Sequence, residues 1–342
     1  MDTNIGAKER VTQNRLIGLF KNVLKYTYLG NWETREDNAN IEEKLLTAYL
    51  SRRGYTDKEI RSSIVKLKQS ANSLGGGLYN ANKEVYTFLR YGVNIQAEVT
   101  EKKKMVHLID WANPMENDFQ IAEEVTIQGA SDRRPDLVVY VNGIALAVIE
   151  LKRSTVSAHE GIRQNIRNQQ DGYIPRFFTT IQLLFAGNDT EGLHYGVIKT
   201  PEKFWLRWKE PCGEPCQPSH FTAKEYPNEL DRSVLQFFEP VRLLEYIHDF
   251  IIFDGGIKKT ARPNQYFAVK AAQPRICKKQ NGIIWHSQGS GKSLTMVWLA
   301  QWIRENVSDA RVVIITDRDE LDKQIESGFK DVGEQIQRAK SG

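Results

Sequence analysis

Two apolar runs flank Asn142-Gly143, and together they predict a β-hairpin within residues 134–153. Both runs are rich in β-branched residues, and Asn-Gly is a preferred hairpin turn. Neither run alternates between apolar and polar residues, which is typical of strands covered on both faces of a sheet. The pattern therefore predicts that this hairpin lies in the centre of a sheet in an α/β fold.

Two helices are predicted on either side of this hairpin in the sequence. The first covers residues 40–54, with Asn40 as its N-cap and Gly54 as its stop. The second covers residues 157–173, with Ser157 and Glu160 as a possible capping box. Residues 55–109 have a mixed pattern that assigns no element with certainty.

A second strand–loop–helix pattern lies near the C-terminal end. Residues 282–293 read GIIWHSQGSGKS, and a helix-forming run, LTMVWLAQWIRE, follows them. A strand, a Gly-rich loop and a helix in this order predict a P-loop, whose backbone amides and helix N-terminus bind phosphate. Residues 311–317 predict a further apolar strand of a parallel sheet. The residues expected to bind ATP·Mg²⁺ are Gly289, Ser290, Gly291, Lys292 and Ser293, with the Ser293 hydroxyl on the metal.

Composition and charge exclude several classes of protein. The chain is 40% hydrophobic and 26% charged, with three cysteines, which argues against disorder or a disulfide scaffold. No apolar run is long enough to span a membrane and no secretory signal is evident, so we expect no membrane partner and a cytoplasmic location. The net charge is only +4, but residues 255–286 hold seven basic residues and no acidic one. Such a stretch suits phosphate or nucleic acid, or it is a solvated loop.

A chain of 342 residues is long enough for two domains. Four prolines and few aliphatic residues interrupt the pattern at residues 210–228. We therefore expect one domain over residues 1–228, and a linker with a second, incomplete domain over residues 229–342.

The predicted hairpin carries three charged residues near the ends of its strands: Asp136, Glu150 and Lys152. Glu150 and Lys152 share a face of their strand, but Asp136 joins them only in one hairpin register. We expect a three-residue loop, residues 141–143, or an equivalent bulge to provide that register. Two adjacent carboxylates bind a hard cation such as Mg²⁺, and a neighbouring lysine stabilises developing charge.

This arrangement resembles the PD-(D/E)xK nucleases, whose core is a mixed sheet flanked by helices. The resemblance implies that Asp136 and Glu150 bind Mg²⁺ and that Asp136, Glu150 and Lys152 are catalytic. Gln169 and Tyr173 resemble the Gln-x-x-x-Tyr motif of some DNA-processing members and would assist catalysis. The alternative is an amphipathic helix that simply ends at Gly172.

A further acidic residue often lies on the first helix of such nucleases, and Glu43 is the candidate. Glu43 shares a helical face with Leu46 and Leu50, so we expect it to point inward. It is equally well placed for an ordinary capping box with Asn40. Both interpretations stay open.

The order of these motifs is similar to that of the restriction subunit, HsdR, of type I restriction enzymes. The resemblance implies a nuclease domain followed by the start of a RecA-like helicase motor of superfamily two. Gln265 would contact adenine, and residues 317–324 would contact the nucleic-acid backbone. The implied partners are double-stranded DNA, the methyltransferase subunit HsdM and the specificity subunit HsdS. The implied activity is Mg²⁺-dependent DNA cleavage coupled to ATP-driven translocation.

Only 49 residues follow Ser293, which is too few for two motor lobes. We therefore expect an N-terminal fragment that does not hydrolyse ATP steadily by itself. Two alternatives belong to other classes: a stand-alone nuclease with a nucleotide-binding appendage, and a non-catalytic DNA-binding module.

Overall fold

The computed structural model describes residues 5–96, 103–211 and 220–315. These residues form two compact units. The first unit comprises residues 5–96, 103–208 and 221–245, and the second comprises residues 209–211, 220 and 246–315.

A seven-stranded mixed sheet forms the centre of the first unit, in the order β1-β4-β5-β6-β7-β8-β9. Strand pairs β1/β4 and β6/β7 are parallel, and the other neighbouring pairs are antiparallel. A separate hairpin joins β2 and β3. The strands are β1 (Thr27–Asn31), β2 (Val93–Ile95), β3 (Lys104–Val106), β4 (Phe119–Glu123), β5 (Leu137–Val141), β6 (Ile144–Leu151), β7 (Leu183–Asn188), β8 (Gly192–Gly196) and β9 (Leu206–Arg207).

Helices cover both faces of this sheet. The helices up to the boundary between the units are α1 (Ile5–Asn22), α2 (Glu43–Arg52), α3 (Asp57–Asn72), α4 (Gly77–Tyr91), α5 (Ala158–Asn168), α6 (Glu229–Phe238) and α7 (Pro240–Asp249), with short 3₁₀ helices at Leu74–Gly76, Pro114–Glu116, Pro175–Thr179 and Glu202–Phe204. Helix α5 and the 3₁₀ helix Pro175–Thr179 pack on the face that presents Val138 and Val148. Helices α1 and α6 pack on the opposite face, where Phe238 contacts both Phe20 and Phe185. The central strands are therefore buried on both sides.

The predicted hairpin is confirmed, because β5 and β6 lie in the middle of the sheet and every residue in them is buried. The predicted helix at residues 40–54 is shorter at its start. Its N-cap is Glu42, while the Asn40 side chain instead donates hydrogen bonds to the 3₁₀ helix Pro175–Thr179. Gly54 adopts a positive φ of 82° just beyond the helix, as expected of a stop residue.

The second predicted helix also differs from expectation. Ser157 is the N-cap of α5, but the Glu160 carboxylate pairs with Arg163 rather than completing a capping box. The helix ends at Asn168, so Tyr173 lies beyond it and not on a continuous helical stripe. Two helices that the sequence pattern left unassigned, α3 and α4, lie within residues 55–109.

The division between the units differs from the expected one at residue 228. Helix α6 belongs to the first unit, because Phe237 and Phe238 pack against Phe185 of the sheet. The boundary instead falls within α7. None of the described helices is both long and apolar enough to cross a membrane.

The second unit contains a hairpin of β10 (Ile251–Asp254) and β11 (Ile257–Thr260), helix α8 (Pro263–Cys277) and helix α9 (Lys292–Asn306). Helix α9 confirms the helix predicted after the Gly-rich loop. The two predicted apolar strands are wrong for the described residues: residues 282–287 and 311–315 form no strand, and Trp285 and Ile315 are both 90% exposed. A strand forms only where a neighbouring strand supplies hydrogen bonds, and none of the described residues does so here.

Candidate active site

Asp136 and Glu150 lie opposite each other across β5 and β6. Leu137 pairs with Ile149 at this end of the two antiparallel strands, so the residue before Leu137 opposes the residue after Ile149. Residues directly opposite each other in a sheet point to the same face. Both carboxylates therefore project from the same face, which α5 covers.

A β-bulge produces this register. Asn142 and Gly143 form a two-residue turn, with φ angles of 54° and 80°, so the predicted three-residue loop is wrong. Beyond the turn, Tyr140 pairs with Ala145 and Val139 pairs with Ala147. Leu146 of β6 lies between these two pairs and is the extra residue of the bulge. The extra residue shifts the pairing by one position and turns Asp136 toward Glu150, as the predicted equivalent bulge requires.

The two carboxyl groups are held in an environment that disfavours their charges. Glu150 is 0% exposed, and no N–H or hydroxyl donor of the described residues reaches its carboxylate oxygens. The Asp136 carboxyl is within hydrogen-bonding reach of Glu150, so the two groups can share a proton. Asp136 is half-buried, and its Oδ2 accepts a hydrogen bond of 2.6 Å from the backbone N–H of Leu151. Burial raises the pKa of Asp136 to about 6. Burial and the adjacent Asp136 carboxylate raise the pKa of Glu150 well above its ordinary value.

Lys152 completes the cluster from the residue directly after β6. Its ammonium group donates to the Leu151 carbonyl at 2.8 Å and lies 3.3 Å from the Oε1 atom of Glu9. Burial alone lowers the pKa of Lys152, but the three surrounding carboxylates outweigh burial, so its pKa lies above the ordinary value. The lysine therefore carries a positive charge beside Asp136 and Glu150.

Glu9 is the residue of this cluster that sequence reasoning missed. It lies near the start of α1, a helix that the charged N-terminal sequence did not suggest. A signal was present: Glu9, Gln13, Leu16 and Phe20 recur at helical spacing, and the last three are buried. Gln13 is polar, which weakened the apolar pattern of that face.

Glu43 does not join the cluster, and the expectation that it points inward is wrong. Its side chain is 53% exposed and forms an ion pair with Lys68 of α3. Helix α2 begins beside the hairpin turn, where the backbone N–H of Glu42 donates to the Gly143 carbonyl at 2.8 Å. The turn and Asp136 lie at opposite ends of β5, about 20 Å apart at the usual rise of a strand.

Gln169 and Tyr173 make their contacts with residues other than the two carboxylates. The Gln169 Nε2 donates to the Asn165 carbonyl at 2.9 Å, and its Oε1 accepts from the backbone N–H of Lys199 at 2.7 Å. The Tyr173 ring lies under the guanidinium of Arg133, 4.1 Å from its central carbon. Neither side chain has a hydrogen bond to Asp136, Glu150 or Lys152 within the part of the chain that the structure describes.

The residues present fit a divalent cation. Two carboxylates face each other, and both Glu150 oxygens are buried without an N–H or hydroxyl donor among the described residues. Buried polar atoms in native proteins are almost always paired, and a divalent cation between the two carboxylates would provide a partner for these oxygens. Carboxylate oxygens are the ligands that Mg²⁺ prefers.

The predicted phosphate loop lies at the N-terminus of α9 in the second unit. Gly289 and Gly291 have positive φ angles of 77° and 82°, and the helix begins directly afterwards at Lys292. The Lys292 ammonium donates to the carbonyls of His286 and Ser287 at 3.3 and 3.1 Å, so it folds over the loop. Ser290 is buried in the loop, and Ser293 lies half-buried in the first turn of α9.

Gln265 contacts this loop directly. It is 2% exposed, its Nε2 donates to the Gly291 carbonyl at 2.8 Å, and its Oε1 accepts from the backbone N–H of Arg262 at 2.8 Å. A side chain at Gly291 would overlap the Gln265 amide, and the φ of 82° at this position also favours glycine. The structure thus shows Gln265 as a brace between α8 and the loop, and its contact with adenine stays a prediction. The predicted contact segment 317–324 lies outside the described residues.

The first unit is thus a mixed α/β unit with an opposed carboxylate pair and a lysine, and the second contains a glycine-rich loop that leads into a helix. The family model described as type I restriction enzyme R protein N terminus matches residues 7–203. Because that match covers more than half of the chain, the protein belongs to this family. Residues 264–342 match the model of the SWI2/SNF2 ATPases.

The chain is also similar to individual endonuclease subunits. A protein of Methanocaldococcus jannaschii, provisionally named the type I restriction enzyme MjaIXP endonuclease subunit, is 26% identical over 98% of this chain and 35% of its own length. The type I restriction enzyme HindI endonuclease subunit of Haemophilus influenzae is 27% identical over 77% of this chain and 26% of its own length. The chain thus spans about a third or less of the length of these relatives.

Proposed function

We propose that the first unit is a PD-(D/E)xK nuclease domain that hydrolyses phosphodiester bonds of double-stranded DNA with Mg²⁺. One observation carries the proposal: Asp136 and Glu150 oppose each other at the end of β5 and β6, and no N–H or hydroxyl donor of the described residues reaches the buried Glu150 carboxylate. This arrangement disfavours two negative charges unless a cation lies between them. The family membership and the names of the relatives support the same function.

Asp136 and Glu150 would hold the metal, with Glu9 close to them through Lys152. A bound Mg²⁺ would polarise the phosphate and lower the pKa of a water molecule. Lys152 carries its positive charge next to the carboxylates, where it stabilises the negative charge that develops on the phosphate. Glu150 is fully buried, and Gly161 of α5 packs against its Cβ atom, so bulk water does not reach this side of the site.

The test compares two glutamates that differ only in their surroundings. Glu150→Gln removes the buried charge, and Glu43→Gln makes the same chemical change at an exposed site that pairs with Lys68. We expect Glu150→Gln to reduce Mg²⁺-dependent DNA cleavage at least about a hundred-fold, on the order of the effect of losing a principal electrostatic group. Glu43→Gln should cleave at the rate of the unmodified protein. Equal activity of both variants would contradict the proposal.

Cleavage is measured on double-stranded DNA with the complete subunit assembled with HsdM and HsdS, with and without ATP. We propose that these two subunits are partners and that cleavage in the complete protein is coupled to ATP-driven translocation. Calorimetric titration of this chain with Mg²⁺ alone tests the metal site separately. Cleavage that is indifferent to ATP would instead indicate a stand-alone nuclease.

We propose that the second unit binds ATP·Mg²⁺ as the start of a RecA-like helicase motor. The supporting observation is the glycine-rich loop that leads into α9, with the Lys292 ammonium held over the loop carbonyls. Phosphate oxygens would replace those carbonyls as acceptors, and Ser293 would provide the hydroxyl for the metal.

Binding of a fluorescent ATP analogue tests this second proposal. Lys292→Ala should weaken binding at least about ten-fold, while Lys278→Ala, at an exposed lysine beyond α8, should bind like the unmodified chain. Equal binding by both variants would contradict an ATP site at this loop.

A further inference from the structure

The segment that carries Asp136 is anchored far from the carboxylates. Residues 124–136, the β4–β5 loop, continue the pairing of their flanking strands through a bridge between Ile127 and Arg133. The backbone N–H of Glu124 donates to the Asp136 carbonyl at 2.9 Å. The two sides of the loop therefore extend the pairing of β4 with β5, and a shift at the loop tip is transmitted toward Asp136.

The tip of this loop rests on the turn that follows α5. The backbone N–H of Ala130 donates to the Tyr173 carbonyl at 3.1 Å. A Cβ atom at Gly129 would overlap that same carbonyl and the Ile174 side chain. Only glycine therefore allows the two backbones to approach this closely.

Arg133 closes the contact from the other strand of the loop. Its guanidinium carbon lies 4.1 Å from the centre of the Tyr173 ring, within the range of a cation–π interaction. Its Nη1 also donates to the Ser131 hydroxyl at 3.0 Å and to the Asp132 carbonyl at 2.7 Å, which fixes the guanidinium orientation. Arg133 lies close before Asp136 in the chain.

Helix α5 connects this anchor to the second carboxylate. Gly161 packs so closely on β6 that a Cβ there would lie 3.3 Å from the Glu150 Cβ atom. The same helix leads into the turn that contains Tyr173, and Gln169 fixes its end to Lys199. One helix and its turn thus contact both the strand of Glu150 and the loop of Asp136.

We propose that Arg133, Gly129 and Tyr173 are positioning residues that hold Asp136 opposite Glu150 for binding of a divalent cation. The inference rests on the proposed nuclease function. Two carboxylates repel each other when no cation is bound, and a site that is already held in the binding geometry binds its metal more tightly. Tyr173 thus acts through its ring and its backbone carbonyl, and not through its hydroxyl.

The main test measures the Mg²⁺ concentration for half-maximal DNA cleavage in the complete assembly, together with calorimetric binding of Mg²⁺ to this chain. Arg133→Gln and Tyr173→Leu should each raise that concentration about five-fold, as expected for loss of one cation–π contact. The maximal rate at saturating Mg²⁺ should change less than about two-fold, because the reacting groups are intact. Arg133→Lys and Tyr173→Phe, which keep a cation and a ring, should restore most of the affinity.

A matched control removes a similar contact elsewhere in the first unit. Arg90→Gln takes a guanidinium from over the ring of Tyr91 and should leave the Mg²⁺ dependence unchanged. If Arg133→Gln proves too unstable to assay, Gly129→Ala tests the same anchor with one methyl group. Its control is Gly75→Ala, because a Cβ at Gly75 meets no atom within 4 Å.

The possible outcomes separate this inference from the function on which it rests. A protein that neither binds Mg²⁺ nor cleaves DNA would overturn both. Normal Mg²⁺ dependence in Arg133→Gln, beside an active unmodified protein, would overturn the positioning role alone. Loss of cleavage in Tyr173→Phe as large as in Tyr173→Leu would show that the hydroxyl acts directly, and it would also overturn the inference.

Discussion

Replacing Asp136 by asparagine should stabilise the metal-free protein at neutral and alkaline pH. The asparagine side chain keeps an oxygen that can accept from the Leu151 N–H, but the substitution removes the negative charge next to Glu150. The pKa of Asp136 is raised to about 6 in the folded protein, from an ordinary value of 3.8. Between these two values the folded state binds more protons than the unfolded state, so the free energy of unfolding falls as the pH rises.

The magnitude follows from the pKa shift. Each pKa unit corresponds to about 1.4 kcal/mol, so the full cost of ionising Asp136 in the folded state is about 3 kcal/mol above about pH 7. Because the side chain is only half-buried, solvent screening reduces this cost and we expect about 2 kcal/mol. At about pH 4 the Asp136 carboxyl is protonated in the folded state, so the stabilisation produced by Asp136→Asn should fall below about 1 kcal/mol.

The assay is urea unfolding in a chelator at about pH 4 and about pH 8, with Asp37→Asn as the matched control. Asp37 is exposed, and asparagine tolerates its positive φ of 59° equally well. Addition of Mg²⁺ at about ten times its dissociation constant should raise the free energy of unfolding of the unmodified protein by about 1.4 kcal/mol, and that of Asp136→Asn by much less. A gain of the same size at both pH values, or no gain at the alkaline one, would refute the reasoning.

Three further changes test the surroundings of the site. Gly161→Ala places a methyl group against the strand of Glu150, so unfolding measurements should show a loss of about 1–3 kcal/mol together with slower cleavage; full stability would contradict the close packing. Glu9→Gln removes a negative charge beside Lys152, so the alkaline limb of the cleavage–pH profile should move to lower pH, and an unmoved limb would exclude that coupling. Gly143→Ala strains a residue with a φ of 80° and meets α2, so it should cost at least about 1 kcal/mol in thermal unfolding, whereas an unchanged midpoint would show that the turn can adapt.

Local sequence signals predicted the central hairpin well, because an Asn-Gly turn between two apolar runs leaves few alternatives. The loop type could not be predicted in the same way. The register depends on Leu146, which is as apolar as its neighbours and carries no mark of a bulge. Only the chemical need to bring Asp136 to Glu150 indicated that some register shift must exist.

The choice between Glu43 and Glu9 as the acidic residue beside the site shows a second limit of prediction from sequence. Glu43 has the spacing of an inward residue on α2, yet that helix begins beside the turn and not beside Asp136. Glu9 lies on a helix whose buried face includes the polar Gln13, which donates to Glu123 at 3.0 Å. A buried polar residue is recognisable only when its partner, far away in the sequence, is known.

The flanks of the P-loop show that apolar composition is not sufficient for a strand. Residues 282–287 and 311–315 are apolar runs without strand pairing in the described chain, whereas α9 forms where it was predicted. A helix satisfies its own backbone hydrogen bonds, but a strand needs a neighbour.

By itself, the sequence predicted candidate residues over short spans: Asp136, Glu150 and Lys152 around one hairpin, and Lys292 and Ser293 at one helix start. Their covalent spacing brings them close with few possible conformations. The tertiary structure decided which distant groups join them. In the folded protein Glu9, and not Glu43, contacts Lys152, and the Tyr173 ring lies against the Arg133 guanidinium. These contacts join positions far apart in the chain, so they depend on how helices pack onto the sheet. Helical spacing in the sequence can suggest a helix, as around Glu9, but it does not show which distant residue the helix contacts.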